Sequence, residues 1–363
     1  MMRALTRHWT TVVPLLAAVV LAIAWFTHPS GPAVIVLVLA LAGAVLSAVQ
    51  HAEVVAHRVG EPFGSLVLAI AVTVIEVGLI LTLMASGGDD ASSLARDTVF
   101  AAVMITCNGI FGLSLLVGAV RRRVAVFNAE GTGAALATVA TLATLSLVLP
   151  TFTTSKPGPE FSGSQLAFAA VVSLLLYGLF VMVQTVRHPG DFLPVEASDD
   201  PNDPDEQDEI PSTATTLVSL ALLLVALVGV VGLAKMVSPS IEHGVHAAGL
   251  PRSAVGVVIA MLVLLPETLA AVRAARRDRV QTSLNLALGS AMASIGLTIP
   301  AIAVATIWLS TPLTLGLGAT QMVLLALTVV VGVLTVVPGR ATLLQGGVHL
   351  VLFAGFVFLA VSP

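Results

Sequence analysis

Residues 214–235 read ATTLVSLALLLVALVGVVGLAK, a run in which no charged side chain precedes Lys235. A helix rises 1.5 Å per residue, so about 20 apolar residues cross a hydrocarbon layer ~30 Å thick. The run is read as a membrane span, and the rest of the chain repeats its character. Of 363 residues, 57% are hydrophobic and 10% charged, with a mean hydropathy of +1.03. Soluble domains carry about 25% charged residues, so a water-soluble fold is excluded. The net charge of −4 and the lack of a basic face exclude a nucleic-acid binder. Cys107 is the only cysteine, which rules out an intrachain disulfide.

Reading apolar runs between charged residues and Pro/Gly punctuation predicts eleven spans: 10–27, 33–50, 64–84, 97–120, 133–150, 164–187, 214–235, 253–274, 283–309, 316–336 and 343–361. Period-2 alternation is absent, so the expected fold is an all-α polytopic membrane protein rather than a barrel. Trp9 and Trp25 bracket the first run as interfacial residues would, and no Ala-x-Ala cleavage pattern follows it, so it is read as a retained span. With an odd count the termini face opposite sides. Loops on the N-terminal side hold twelve basic residues, including Arg121 to Arg123, Arg273, Arg276 and Arg340, against Arg96, Lys156, Lys235 and Arg252 on the other. The positive-inside bias then places the N-terminus in the cytoplasm and the C-terminus on the opposite side of the membrane. Between the sixth and seventh runs, Asp191 to Pro211 holds nine of the 20 carboxylates. The expected organisation is residues 1–32 as N-terminus and extra span, 33–190 as a first five-span half, 191–212 as an acidic cytoplasmic linker, and 213–363 as a second half. Such a linker is either a solvated connection or an element that gathers cations.

Away from span ends only two carboxylates occur, Glu76 in the third run and Glu267 in the eighth. A carboxylate near the bilayer midplane costs at least ~2.5 kcal/mol, so each marks a functional site by default. Aligned without gaps on these acids, Val67, Ala69 and Val72 match Val258, Ala260 and Val263. The following spans match Thr106 with Ser290, Gly112 with Gly296 and Ser114 with Thr298. The third span runs outward and the eighth inward, so the copies are inverted repeats, the pattern of alternating-access transporters. Polar groups cluster nearby. Thr73 lies three residues before Glu76, the fourth span offers Thr106 and Asn108, and the ninth offers Asn285, Ser290, Ser294 and Thr298. Pro266 removes the N–H that would bond the Leu262 carbonyl, freeing that oxygen for a cation or water; Ile75 stands in the equivalent place. Gly109, Gly112, Gly289 and Gly296 are expected to let helices approach closely.

Carboxylate, amide, hydroxyl and carbonyl oxygens are hard ligands suited to Ca2+, Na+ or K+. His51, Glu53 and His57 are spaced wrongly for one helix face and are read as a solvated interfacial loop, and His349 as a packed or hydrogen-bonded residue. No zinc-protease motif, paired intramembrane aspartates or nucleophile elbow is present, so the chain is not expected to be an enzyme.

The stretch HAEVVAHRVGEPFGSLVLAIAVTVIE (51–76), with LLPETLAAV around Glu267 and NLALGSAMASIGLTIP from Asn285, resembles the ChaA-type bacterial calcium/proton antiporters of the Ca2+/cation antiporter superfamily. The resemblance implies exchange of Ca2+, and also Na+ or K+, for H+, with no cofactor beyond the transported ions. It places the cation- and proton-binding role on Glu76 and Glu267, and extends it to Asn108, Asn285 and Ser290. Ile75 in place of a repeat proline and Val263 in place of a repeat hydroxyl depart from the pattern.

Overall fold

The computed structural model describes residues 2–27, 29, 31–60, 63–86, 92–195, 211–251, 253–308 and 313–362. Each of the eleven apolar runs falls on helix. The helices are α1 (Met2–Thr27), α2 (Ala33–Val59), α3 (Phe63–Ser86), α4 (Leu94–Met104), α5 (Phe111–Arg122), α6 (Ala129–Ala143), α7 (Leu149–Phe152), α8 (Gly163–Met182), α9 (Thr213–Ala247), α10 (Ser253–Val263), α11 (Leu265–Arg276), α12 (Val280–Ala305), α13 (Ala319–Val336) and α14 (Leu343–Val361). Among the described residues nine helices are long and apolar enough to cross a membrane, and a tenth span results if the bent pair α10–α11 counts as one. The acidic linker lies outside the described residues from 196 to 210.

Three differences from the sequence reading stand out. α9 does not stop at Lys235 but continues through Pro239 to Ala247, and the Lys235 ammonium sits 5.6 Å from the Trp25 ring, where a cation–π contact and a long stem let it stay near the membrane. His51 to His57 are not a loop but the last turns of α2, with His51 buried and Glu53 and His57 exposed. The third is a short link between loops of the helical fold: Ala125–Val126 (β1) pairs antiparallel with Arg340–Ala341 (β2).

The chain forms two compact units, residues 1–79 with 196–240, and 80–195 with 241–363. Each draws on residues from both 33–190 and 213–363. In the first unit, Pro14 lacks the N–H that would bond the Thr10 carbonyl, and α2 fills the gap. Ser47 Oγ and His51 Nε2 both reach that oxygen, at 2.8 and 2.9 Å. Glycine sets the close contacts here, since a Cβ on Gly78 would lie 2.6 Å from Val231 Cγ2 and one on Gly232 would meet Leu21.

The second unit is built around α12, which packs against α8, α6 and α11, while α14 packs on α5 and α10 on α4. α6 starts at Asn128, whose side-chain oxygen accepts from the N–H groups of Glu130 and Gly131, and α8 starts with a capping box between Ser162 and Gln165. Loops sort to two ends. At one, β1 pairs with β2, and Arg121 and Arg122 face Asp278 at 3.8 and 3.5 Å. At the other, Thr314 N–H bonds the Ser92 carbonyl and Gly316 N–H the Pro159 carbonyl. Large apolar side chains such as Trp308 and Leu344 face outward, as lipid contact requires.

Candidate functional site

The eighth predicted span is broken. α10 ends at Val263, Leu264 leaves helical geometry at φ −86°, ψ 2°, and α11 departs at 54°. Pro266 in the first turn of α11 is the cause, because it offers no N–H to the Leu262 carbonyl and its ring crowds that turn. The chain closes on either side of the gap. Leu264 N–H bonds the Ala260 carbonyl at 2.9 Å, and Thr268 gives its N–H and its hydroxyl to the Leu264 carbonyl at 2.9 and 2.7 Å. Glu267 is half-buried in the first turn of α11. Two half-helix ends therefore meet beside a carboxylate: the N-terminal end of α11 favours its negative charge, and the carbonyl-rich end of α10 favours a cation. A discontinuous helix of this kind is how membrane transporters present backbone oxygens at depth.

α11 packs against α5, α12 and a π-helical turn at Ile105–Ile110 in the middle of the fourth span. In that turn Phe111 N–H reaches back to the Thr106 carbonyl, which inserts an extra residue and redirects Thr106 and Asn108. Both are fully buried. Thr106 gives its hydroxyl to the Ala102 carbonyl at 2.7 Å, whereas Asn108 donates to Thr328 Oγ1 at 2.9 Å and lies 3.1 Å from His349 Nδ1. On α12, Ser290 is half-buried, Ser294 and Thr298 are buried, and among the described residues the Thr298 hydroxyl has no hydrogen-bond partner. Gly289, expected to mediate close packing, does not among the described residues: a Cβ there would meet nothing within 4 Å. Gly112 and Gly296 are tight contacts, against His349 and Tyr177, and Gly109 makes ordinary contact with Phe353.

The unit thus gathers Glu267, Thr106, Asn108 and Ser290 on elements that pack together. Asn285 belongs to another cluster. Its amide oxygen accepts from Gln281 at 2.8 Å and its nitrogen donates to the Phe192 carbonyl at 2.6 Å, tying the start of α12 to the segment that leads into the linker. Glu76 and Thr73 lie in the first unit, both buried on α3, one turn apart. α3 runs unbroken through Ile75, so the two acids sit on helices of different construction. Among the described residues no cluster of three His, Cys, Asp or Glu side chains could hold a metal.

Sequence reasoning passed over Asp97, which lies too near a span end to count as intramembrane. It is buried, paired with Arg96 at 2.9 Å, and hydrogen-bonded by Ser93. It also passed over the π-turn, which leaves no composition signal.

A family model described as sodium/calcium exchanger protein matches residues 30–186 and 218–362. The chain belongs to this family. The family is one of transporters, not of enzymes. An E. coli relative, the sodium-potassium/proton antiporter ChaA, is 36% identical over 97% of this chain and 96% of its own length. y4hA of Sinorhizobium fredii, described as an ionic transporter, is 45% identical over 98% of this chain and 96% of its own. Among solved structures, native YfkE aligns with a TM-score of 0.72 at 15% identity, covering 98% of this chain and all of that one. The H+/Ca2+ exchanger CAX aligns with a TM-score of 0.66 at 15% identity, covering 97% and 93%. These two similarities establish the shared fold of an all-helical multi-pass membrane protein.

Proposed function

We propose that the chain is a secondary active antiporter that exports Ca2+ in exchange for protons by alternating access, with Na+ and K+ as further cargo. The observation that carries the reading is Glu267 in the first turn of a half-helix at a 54° break, within a chain of the exchanger family. Glu76 and Glu267 bind the cation or the protons, aided by Thr73, Thr106, Asn108 and Ser290, and Asn285 braces the start of α12. Two carboxylates are neutralised by one Ca2+ or by two H+. An empty, doubly charged site would be costly to carry through a low-dielectric barrier, so the arrangement favours exchange over leak.

The reading includes eleven crossings in a bacterial inner membrane, with the N-terminus cytoplasmic, the C-terminus periplasmic, and inverted halves at 33–190 and 213–363. It is supported by the twelve-to-four basic tally. The pairing of loops in the second unit supports it too, since the loops after the fourth, eighth and tenth runs meet at one end, and those after the third, fifth and ninth at the other.

The test is proton-driven flux in sealed proteoliposomes with Ca2+, Na+ and K+ offered separately. A pH gradient should drive Ca2+ uphill; downhill movement alone would indicate a channel and overturn the proposal. The sodium-potassium/proton antiport of the E. coli relative favours a second reading, a Na+ or K+/proton antiporter with little Ca2+ transport. The same assay separates the two.

A further inference from the structure

The last span meets the fourth at a tight crossing. A Cβ on Gly112 would lie 2.7 Å from His349 Cβ, and one on Gly346 would lie 2.8 Å from Leu116 N. This approach brings the buried His349 ring beside the π-turn, with its centroid 5.0 Å from that of Phe111 and the two rings tilted by 56°. Nδ1 lies 3.1 Å from Asn108 Oδ1, and Nε2 lies 3.2 Å from Thr335 Oγ1. Asn108 Nδ2 donates to Thr328 Oγ1 at 2.9 Å, and Thr328 Oγ1 donates to the Leu324 carbonyl at 2.8 Å.

Chemistry gives this chain one direction. A carbonyl only accepts, so the Thr328 hydroxyl spends its hydrogen on Leu324 and must accept from Asn108. The group facing Thr328 is then the amide nitrogen, and the amide oxygen faces His349. That oxygen needs a donor, so the neutral imidazole carries its hydrogen on Nδ1 and leaves Nε2 bare to accept from Thr335. The Thr328 and Thr335 hydroxyls, the His349 imidazole and the Asn108 amide thus link α13, α14 and the π-turn, and none of them is a carboxylate of the proposed site.

We propose that His349 is a positioning residue for cation exchange, which fixes the orientation of the Asn108 amide by holding its oxygen. The inference rests on the exchange reading of this site. While Nδ1–H occupies the Asn108 oxygen, the amide can lend that oxygen to a cation only by giving up the bond. His349 therefore sets how readily the π-turn, against which the Glu267 half-helix packs, supplies a ligand.

Two measurements test it. In full-length protein labelled with 15N-histidine in detergent, the His349 signal, identified by its loss in His349→Asn, should show the Nδ1-protonated tautomer and should change in Asn108→Leu. An Nε2-protonated ring would overturn the proposal whether or not the protein exchanges ions. In proteoliposomes, His349→Leu should lower the apparent KM for the cation by about fivefold to tenfold, the worth of one released hydrogen bond. His349→Asn, whose amide N–H can replace Nδ1–H, should return KM towards wild type. In an Asn108→Ala background His349→Leu should leave KM unchanged, whereas a merely structural histidine would act equally in both backgrounds. An unchanged or raised KM in His349→Leu, or an additive double variant, would overturn the proposal. A wild-type protein that moves no cation against a pH gradient would instead defeat the exchange reading, and the tautomer would still decide the amide orientation.

Discussion

Replacing Pro266 with alanine tests whether the broken helix, rather than the carboxylate alone, makes the site. A proline inside a helix costs about 3 kcal/mol, so Pro266→Ala removes up to that much resistance to a continuous helix, a factor of about 150 in the balance between bent and straight forms. The flanking bonds, Leu264 N–H to Ala260 and Thr268 N–H to Leu264 at 2.9 Å each, already follow the helical pattern, so the gap to be healed is confined to one turn. Healing it gives the Leu262 carbonyl an N–H partner and swings the Glu267 carboxylate with α11. Losing one oxygen contact to a charged partner is worth about 1.5–3 kcal/mol, or roughly 10- to 100-fold in affinity. The variant should therefore melt at the same or a higher temperature than the parent while its apparent KM for Ca2+ rises by that factor. Initial rates of proton-driven uptake across a range of Ca2+ concentrations, paired with thermal unfolding in detergent, read both quantities. A variant with unchanged KM and rate would show that the free backbone oxygen contributes nothing. A variant that unfolds at lower temperature would show that the bend is demanded by packing rather than by proline.

Glu76→Gln and Glu267→Gln preserve shape while removing the exchangeable charge, so each should abolish Ca2+/H+ exchange in proteoliposomes without loss of folded protein; wild-type rates in both would defeat the two-carboxylate mechanism. Neutralising the nine carboxylates between Asp191 and Glu209 should change apparent affinity but leave exchange detectable, and complete loss in a stably inserted variant would make the linker part of the transport route. Single cysteines at positions 156 and 276, in a Cys107→Ser background, should be labelled from the periplasm and the cytoplasm respectively; the reverse pattern would invert the topology.

What the sequence disclosed depended on how much free energy each feature carries in lipid. Apolar runs must be helical because backbone groups have no water to bond, so the all-helical class was legible. Glu76 and Glu267 stood out as candidates for the same reason, an intramembrane charge being costly. Pro266 announced a lost hydrogen bond, but a missing bond can be absorbed by a gentle kink, and only the structure shows the full break at Leu264. The π-turn at Ile105–Ile110 had no comparable signal, since an extra residue in a turn costs little and any small or polar sequence accepts it. Gly289 looked like Gly112 and Gly296 in sequence, yet among the described residues a Cβ there would meet nothing within 4 Å while they face His349 and Tyr177, because a glycine's use depends on the partner helix.

The unequal construction of the two half-sites bears on how exchange can be directional. Glu267 stands at a junction of helix ends, where backbone dipoles can help both the bare carboxylate and its cation. Glu76 stands within continuous helix, with Ile75 and not proline before it, so every α3 carbonyl around it is expected to be committed to its own helix. On the proposed reading, a cation at Glu76 would then be held by side chains such as Thr73, one turn away on α3. A pseudo-symmetric transporter with equivalent half-sites would hold its cargo alike from either side. On the exchange reading proposed above, the Glu267 half would offer fixed backbone oxygens and the Glu76 half rotatable groups, so loading and release need not follow the same sequence of ligand exchanges.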